Sequence, residues 1–93
     1  MATLHIEHAI TDLDTWLGAF DSFAEARANA GVTAQRVRQP VDDDRYIVVD
    51  LDFDTAEAAD AFKGFLEHVV WQDRAMSPGL DGTPTARILH DVA

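Results

Sequence analysis

The chain predicts an α+β sandwich in which strand, helix, strand, strand, helix and strand follow one another and the four strands form one antiparallel sheet. Three observations carry this. Alternating apolar residues mark strands at both ends and in the middle of the chain. Two stretches of helical spacing separate them, and turn-forming Gly, Pro and Asp residues fall between the periodic segments.

The first strand runs from Thr3 to Ile10, with Leu4, Ile6 and Ile10 on one face and Thr3, His5, Glu7 and Ala9 on the other. Asp12 or Asp14 then caps a helix from Leu13 to Ala30. Leu13, Trp16, Leu17, Phe20, Phe23 and Ala24 form its apolar stripe, and Gly31 stops it. A polar strand, Val32 to Gln39, leads into the turn Pro40 to Asp44. Arg45 to Phe53 is the strongest strand, with Ile47, Val49, Leu51 and Phe53 opposite Tyr46, Val48, Asp50 and Asp52.

Asp54 and Glu57 have the spacing of a capping box for a second helix from Thr55 to Trp71. Its stripe is Ala58, Ala59, Phe62, Phe65, Leu66, Val69 and Val70. Gln72 to Pro84 reads as a long, turn-rich connection, and Thr85 to Val92 as the closing strand.

Two helices with one apolar stripe each cover one face of a four-stranded sheet, which makes the chain a single ferredoxin-like βαββαβ domain over residues 1–93 with strand order 4-1-3-2. The expected core is Leu4, Ile6, Leu17, Phe20, Ile47, Val49, Leu51, Phe62, Phe65, Leu66 and Val69. A hairpin turning near Asp43 pairs residues whose numbers sum to about 86, so Val37 meets Val49 and Arg36 meets Asp50. The sheet face away from the helices then carries His5, Glu7, Arg36, Arg38, Tyr46, Val48, Asp50 and Asp52.

The 93 residues include 47% apolar and 26% charged side chains, enough hydrophobicity for one modest core. No apolar run approaches the ~20 residues that span a bilayer, and no secretory leader is evident, so a cytoplasmic location is expected. The formal charge of −10 argues against nucleic acid and anionic membranes as partners. With no cysteine, disulfides, thiolate metal sites and a cysteine nucleophile are excluded. No two histidines have zinc spacing on one element. The run from Asp50 to Asp54 starts like a calcium loop, but Thr55 stands at the glycine position and Ala61 at the glutamate position. No glycine-rich phosphate loop or nucleophile elbow is present, and no cofactor is called for.

The order of elements resembles the dimeric α+β barrel superfamily, including antibiotic-biosynthesis monooxygenase-like and cyclase-like proteins. The residues that carry the likeness are Asp12 to Trp16 with Phe20, then Phe65 to Trp71 leading through Ser77, Pro78, Gly79 and Leu80 into the last strand. The resemblance implies a homodimer joined through the open sheet faces. It also implies a small aromatic or polyketide-like ligand, held between sheet and helices or within the barrel, and cofactor-independent chemistry. The Asn, Trp and His that haem-degrading members share are not matched: the sole Asn is Asn29, and no His follows Trp71 on its helix or loop.

Within that frame His5 and Glu7, two apart on one strand face, are the candidate catalytic pair, the carboxylate orienting the imidazole. Tyr46, Arg36, Asp50 and Trp71 are the candidate ligand contacts, Trp71 at a position able to gate a cavity under the helices. The competing view is a non-catalytic dimeric accessory or regulatory module whose polar face is only an interface.

Overall fold

A computed structural model describes residues 1–93. Its elements are β1 (Ala2–Ile10), α1 (Leu13–Ser22), α2 (Ala24–Ala30), β2 (Val32–Arg38), β3 (Tyr46–Phe53), α3 (Ala56–Phe65), a π-helical turn (Leu66–Val70) and β4 (Leu80–Leu89). The sheet order is β2-β3-β1-β4 with every neighbouring pair antiparallel. This is the predicted ferredoxin-like order.

The two central strands set the layers. Along β1 the even-numbered residues are buried, and along β3 the odd-numbered ones, so Leu4, Ile6, Ile47, Val49, Leu51 and Phe53 form a continuous apolar floor. Trp16 from α1 and Ala59 and Phe62 from α3 close over it. The register places Arg36 opposite Asp50 and Val37 opposite Val49, as the turn near Asp43 requires.

The elements depart from the sequence expectation at five points. The first helix is two helices, because the chain bends at Phe23. There the Ser22 hydroxyl donates to the Ala19 carbonyl at 2.6 Å, and the Phe23 amide bonds back three residues to Phe20. A side chain that competes for helix carbonyls in this way bends the chain. The cap of α3 is Thr55, whose hydroxyl accepts the Ala58 amide, and not Asp54.

The third departure is the end of α3. The Trp71 amide reaches back five residues to the Leu66 carbonyl at 2.8 Å, which widens the last turn to π geometry. One extra residue in the turn rotates Val69 outward to 43% exposure and turns Val70 into the core, reversing the expectation for Val69. The other expected core residues are buried or packed against the core.

The remaining two concern β4, which begins at Leu80 rather than Thr85 and ends at Leu89 rather than Val92. Gly82 and Pro84 read as turn residues, yet they lie in the edge strand at an irregularity. Between Glu7 and Ala9 the partner shifts from Thr85 to Asp81, leaving two extra residues on β4. Gly82 takes φ +78 there, and a proline without an N–H is tolerated on an edge or bulge.

Gly79 fixes how the segment before β4 meets α1. It has φ +84, and a Cβ there would lie 3.0 Å from the Trp16 backbone nitrogen and Cα. Gly31 also has a positive φ of +98, but open space surrounds it. Gly79→Ala should therefore cost ~2–4 kcal/mol and Gly31→Ala ~1–2 kcal/mol, since only the first adds a backbone clash to left-handed strain. Thermal denaturation at fixed protein concentration checks this: the midpoint should fall by ~4–8 °C per kcal/mol for a domain of this size. Equal losses would remove the close approach as the cause.

Candidate functional site

Polar side chains on the open face of the sheet form a chain of contacts across three strands. Tyr46 on β3 donates its hydroxyl to Glu7 Oε1 at 2.7 Å. The other Glu7 oxygen lies 2.8 Å from His5 Nε2, and His5 Nδ1 lies 2.6 Å from Asp50 Oδ1. Asp50 Oδ2 accepts from Arg38 on β2 at 2.7 Å. Beside this chain the Thr3 hydroxyl donates to Asp52 at 2.6 Å, so the adjacent carboxylates of Asp50 and Asp52 each have a partner. Alternation along the strands brings these residues to one face, and the pairing of His5 with Asp50 in the β1–β3 ladder brings the ring to the carboxylate.

The structure thus gathers His5, Glu7, Tyr46 and Asp50 into one network. The ion pair with Asp50 is made by Arg38, not by its directly opposite residue Arg36, which forms no ion pair. Arg36 instead lines a polar cleft of about 420 Å³ on the same face, together with Thr3, Asp50, Asp52 and His90. Trp71 lies on the other side of the sheet.

That side holds the second candidate. A half-enclosed cavity of about 90 Å³ lies between the sheet floor and the helices, and thirteen of its seventeen lining residues are apolar, so it is a mainly apolar pocket. Trp16, Phe20, Phe23 and Trp71 supply its aromatic wall, and Met76 and Leu80 lie towards β4. Trp16 and Phe20 stack with centroids 4.9 Å apart. The bend at Phe23 and the π turn before Trp71 both border this space, and π turns recur where a helix is adapted to a site.

Besides the half-buried Ser77, two buried polar groups break the apolar lining. His8 is 5% exposed and sits in the inward row of β1. Its Nδ1 lies 2.8 Å from the Ala9 carbonyl, an acceptor only, so Nδ1 carries the proton and the neutral ring leaves Nε2 as a bare acceptor. Burial lowers its pKa below the ordinary 6.5 and favours that neutral form. Arg27 is 6% exposed. Its Nη1 donates to the Phe20 carbonyl at 2.5 Å, its Nε donates to Gln35 Oε1 at 3.1 Å, and its guanidinium carbon lies 3.6 Å from the Phe20 ring centre.

Neither residue was a sequence candidate for the site, although both carried a signal. His8 has the parity of Leu4, Ile6 and Ile10, and Arg27 falls seven residues after Phe20 on the same helical stripe. A titratable residue inside an apolar row is the pattern to look for. No group of three or more His, Cys, Asp or Glu residues is arranged to hold a metal ion.

The open-face network has a defined pH window. The hydrogen bond with Glu7 above all, supported by Asp50, raises the His5 pKa above 6.5, although partial burial acts the other way. The hydrogen bond from Tyr46, then that from His5, lowers the Glu7 pKa below 4.5. A raised histidine contributes stability that is complete below its unfolded value and is lost as pH climbs through the folded one. A lowered glutamate contributes stability present above its unfolded value and lost as pH falls through the folded one. Both contributions are therefore complete between pH 4.5 and 6.5. The stability difference between wild type and His5→Gln should be largest in that window and shrink above it, as urea denaturation across pH would show. The opposing contribution of His8 is common to both proteins and cancels in the difference.

No protein-family model matches the chain, and no curated protein sequence does. Solved structures do match it. "Putative antibiotic biosynthesis monooxygenase from Nitrosomonas europaea" superposes with a TM-score of 0.70 at 18% identity, covering 100% of both chains. A crystal structure of a dimeric ferredoxin-like protein from an uncultured marine organism gives a TM-score of 0.62 at 8% identity, covering 100% of this chain and 96% of that one. At these identities the likeness establishes the architecture: the chain has the ferredoxin-like α+β fold that these two proteins share.

Proposed function

We infer that this protein binds a small, ring-bearing molecule in the cavity between sheet and helices, and that it works as a homodimer joined through the open sheet face. The observation that carries the first part is the cavity itself, in which an aromatic wall surrounds two buried polar groups, His8 and Arg27. A site of this kind fixes a ligand by apolar contact and orients it with a few polar atoms. Its volume of about 90 Å³ is below the ~150 Å³ that encloses benzene. One ring reaching out through the open side suits it better than a fused polyketide.

The name of the Nitrosomonas neighbour, a monooxygenase of antibiotic biosynthesis, brings an oxidation into view. On this chain the one chemical step that the cavity's own side chains supply is proton acceptance at His8 Nε2, since His8 is the only base among the lining residues. His5 and Glu7 suit that task less well. Both ring nitrogens of His5 are engaged by carboxylates, which favours the charged ring and leaves neither nitrogen free for a substrate proton.

We assign the open-face network to the dimer. Glu7, His5, Asp50 and Arg38 alternate in sign along the chain of contacts, so the face neutralises much of its own charge before a partner covers it. Val48 and the 43% exposed Leu89 lie on or beside it. A formal −10 on each copy opposes association, but charges more than ~8 Å apart are screened at physiological salt while burial of an obligate interface removes ~2,000 Å² or more. The dimeric state in the marine neighbour's description supports association as such, though it names no face.

Two measurements test the reading. Toluene should shift the tryptophan fluorescence, because Trp16 and Trp71 are the only tryptophans and both wall the cavity. At ~100 times the dissociation constant the ligand should add about 2.7 kcal/mol of stability, and Ala19→Phe, which fills the cavity from α1, should abolish both effects. Sedimentation should give a mass twice 10.2 kDa that persists as salt is raised. A monomer at micromolar concentration in all salts would overturn the dimer, and an unchanged response in Ala19→Phe would place the ligand elsewhere.

A further inference from the structure

Arg27 is a buried cation without an anion. It lies 6% exposed among aromatic side chains, and the four ion pairs of the protein involve His5, Arg38 and Lys63 but not Arg27. The one carboxylate that acts on it does so through space, from Asp21. Its partners within hydrogen-bonding distance, the Phe20 carbonyl and the Gln35 amide oxygen, are both neutral.

A guanidinium has five N–H donors in a planar fork that matches a carboxylate. Two of the five are used here, one on Nε and one on Nη1. Nη2 makes no hydrogen bond, yet no buried side-chain nitrogen or oxygen is sealed away without a partner, so Nη2 keeps an accessible surface. Arg27 lines the cavity, and no other cationic residue does. A charge placed in so apolar a space is costly unless a counter-ion completes it.

We propose that Arg27 is the anion-reading residue of this cavity and that the ligand is a single-ring aromatic acid, its carboxylate at the free donors of Arg27 and its ring against Trp71 and the stacked Trp16. The proposal rests on the cavity being the ligand site and adds to it the chemical class of the ligand. His8 Nε2, a bare acceptor on the same lining, suits a hydroxyl donor on the ring, so a hydroxylated aromatic acid satisfies both polar groups at once. The overall negative charge of the chain does not prevent this. At salt that screens beyond ~8 Å the ligand meets the nearby guanidinium rather than the distant surface carboxylates.

The acid should be preferred by the factor of a charge-assisted hydrogen bond, about 10- to 100-fold. The experiment titrates benzoate, benzamide and benzylamine into the wild-type protein at neutral pH and follows the indole N–H resonances of Trp16 and Trp71. The expected order of affinity is benzoate, then benzamide, then benzylamine. Arg27→Met should bring benzoate and benzamide together, and Arg27→Lys, which keeps the charge but not the fork, should retain part of the preference. Equal binding of benzoate and benzamide to the wild type, or a preference that survives in Arg27→Met, would overturn the role of Arg27 and leave the cavity as a site for neutral rings. Binding of none of the three would overturn the cavity reading with it. Should Arg27→Met not fold, the wild-type order alone decides, because Arg27 is the only cation on the lining.

Discussion

Strict alternation along the two central strands is the constraint on which the rest depends. In β1 and β3 neighbouring residues point to opposite faces, and because both strands are paired on both sides, neither can slip by one residue without exchanging the two faces completely. Such a slip would place Leu4, Ile6, Val49 and Leu51 in water and bury His5, Glu7, Asp50 and Asp52 under the helices. At ~1.5–3 kcal/mol for each large apolar side chain, before the cost of burying four ionisable groups, the observed register wins by far more than a small domain's whole stability. His8 is therefore inside and His5 outside for one reason, their place in the count.

The same constraint explains what could be read from the sequence. Strand order, the register of the β2–β3 hairpin, the inner floor and the gathering of His5, Glu7, Tyr46 and Asp50 on one face all follow from a period of two and one turn, both visible in the residues. The misses share a different character, since each lies where local hydrogen bonding changes the period. Ser22 bends the first helix, Trp71 bonds back five residues and displaces Val69, and Gly82 with Pro84 makes an irregular edge strand out of what reads as a loop. A hydrophobic stripe counted at 3.6 residues per turn has no means of registering a turn that holds one residue more. Arg36 shows a related gap: register named it as Asp50's neighbour, but side-chain reach gave the ion pair to Arg38, two residues along.

These irregular places are not scattered. The bend at Phe23, the π turn before Trp71 and the close approach of Gly79 to Trp16 all lie around one cavity. Phe23 and Trp71 line this cavity, and Gly79 is held beside Trp16 of α1, its carbonyl accepting from the Thr11 amide. Breaks in local regularity that converge on one place accord with the proposed site there.

The arrangement also separates two tasks that lie one residue apart. On β1, Ile6 and His8 serve the cavity while His5 and Glu7 serve the outer network, and on β3 Val49 and Leu51 lie on the cavity floor while Asp50 belongs to the network. The two faces share a backbone but no side-chain hydrogen bond. Titration of the outer network therefore has no direct polar path to His8 or Arg27, and can reach them only by moving β1 or β3 as a whole. Eight consecutive paired positions between those strands make such movement expensive. The proposed ligand site on one face and the proposed dimer surface on the other are thus built from different residues of the same strands, so that either can change without rewriting the other.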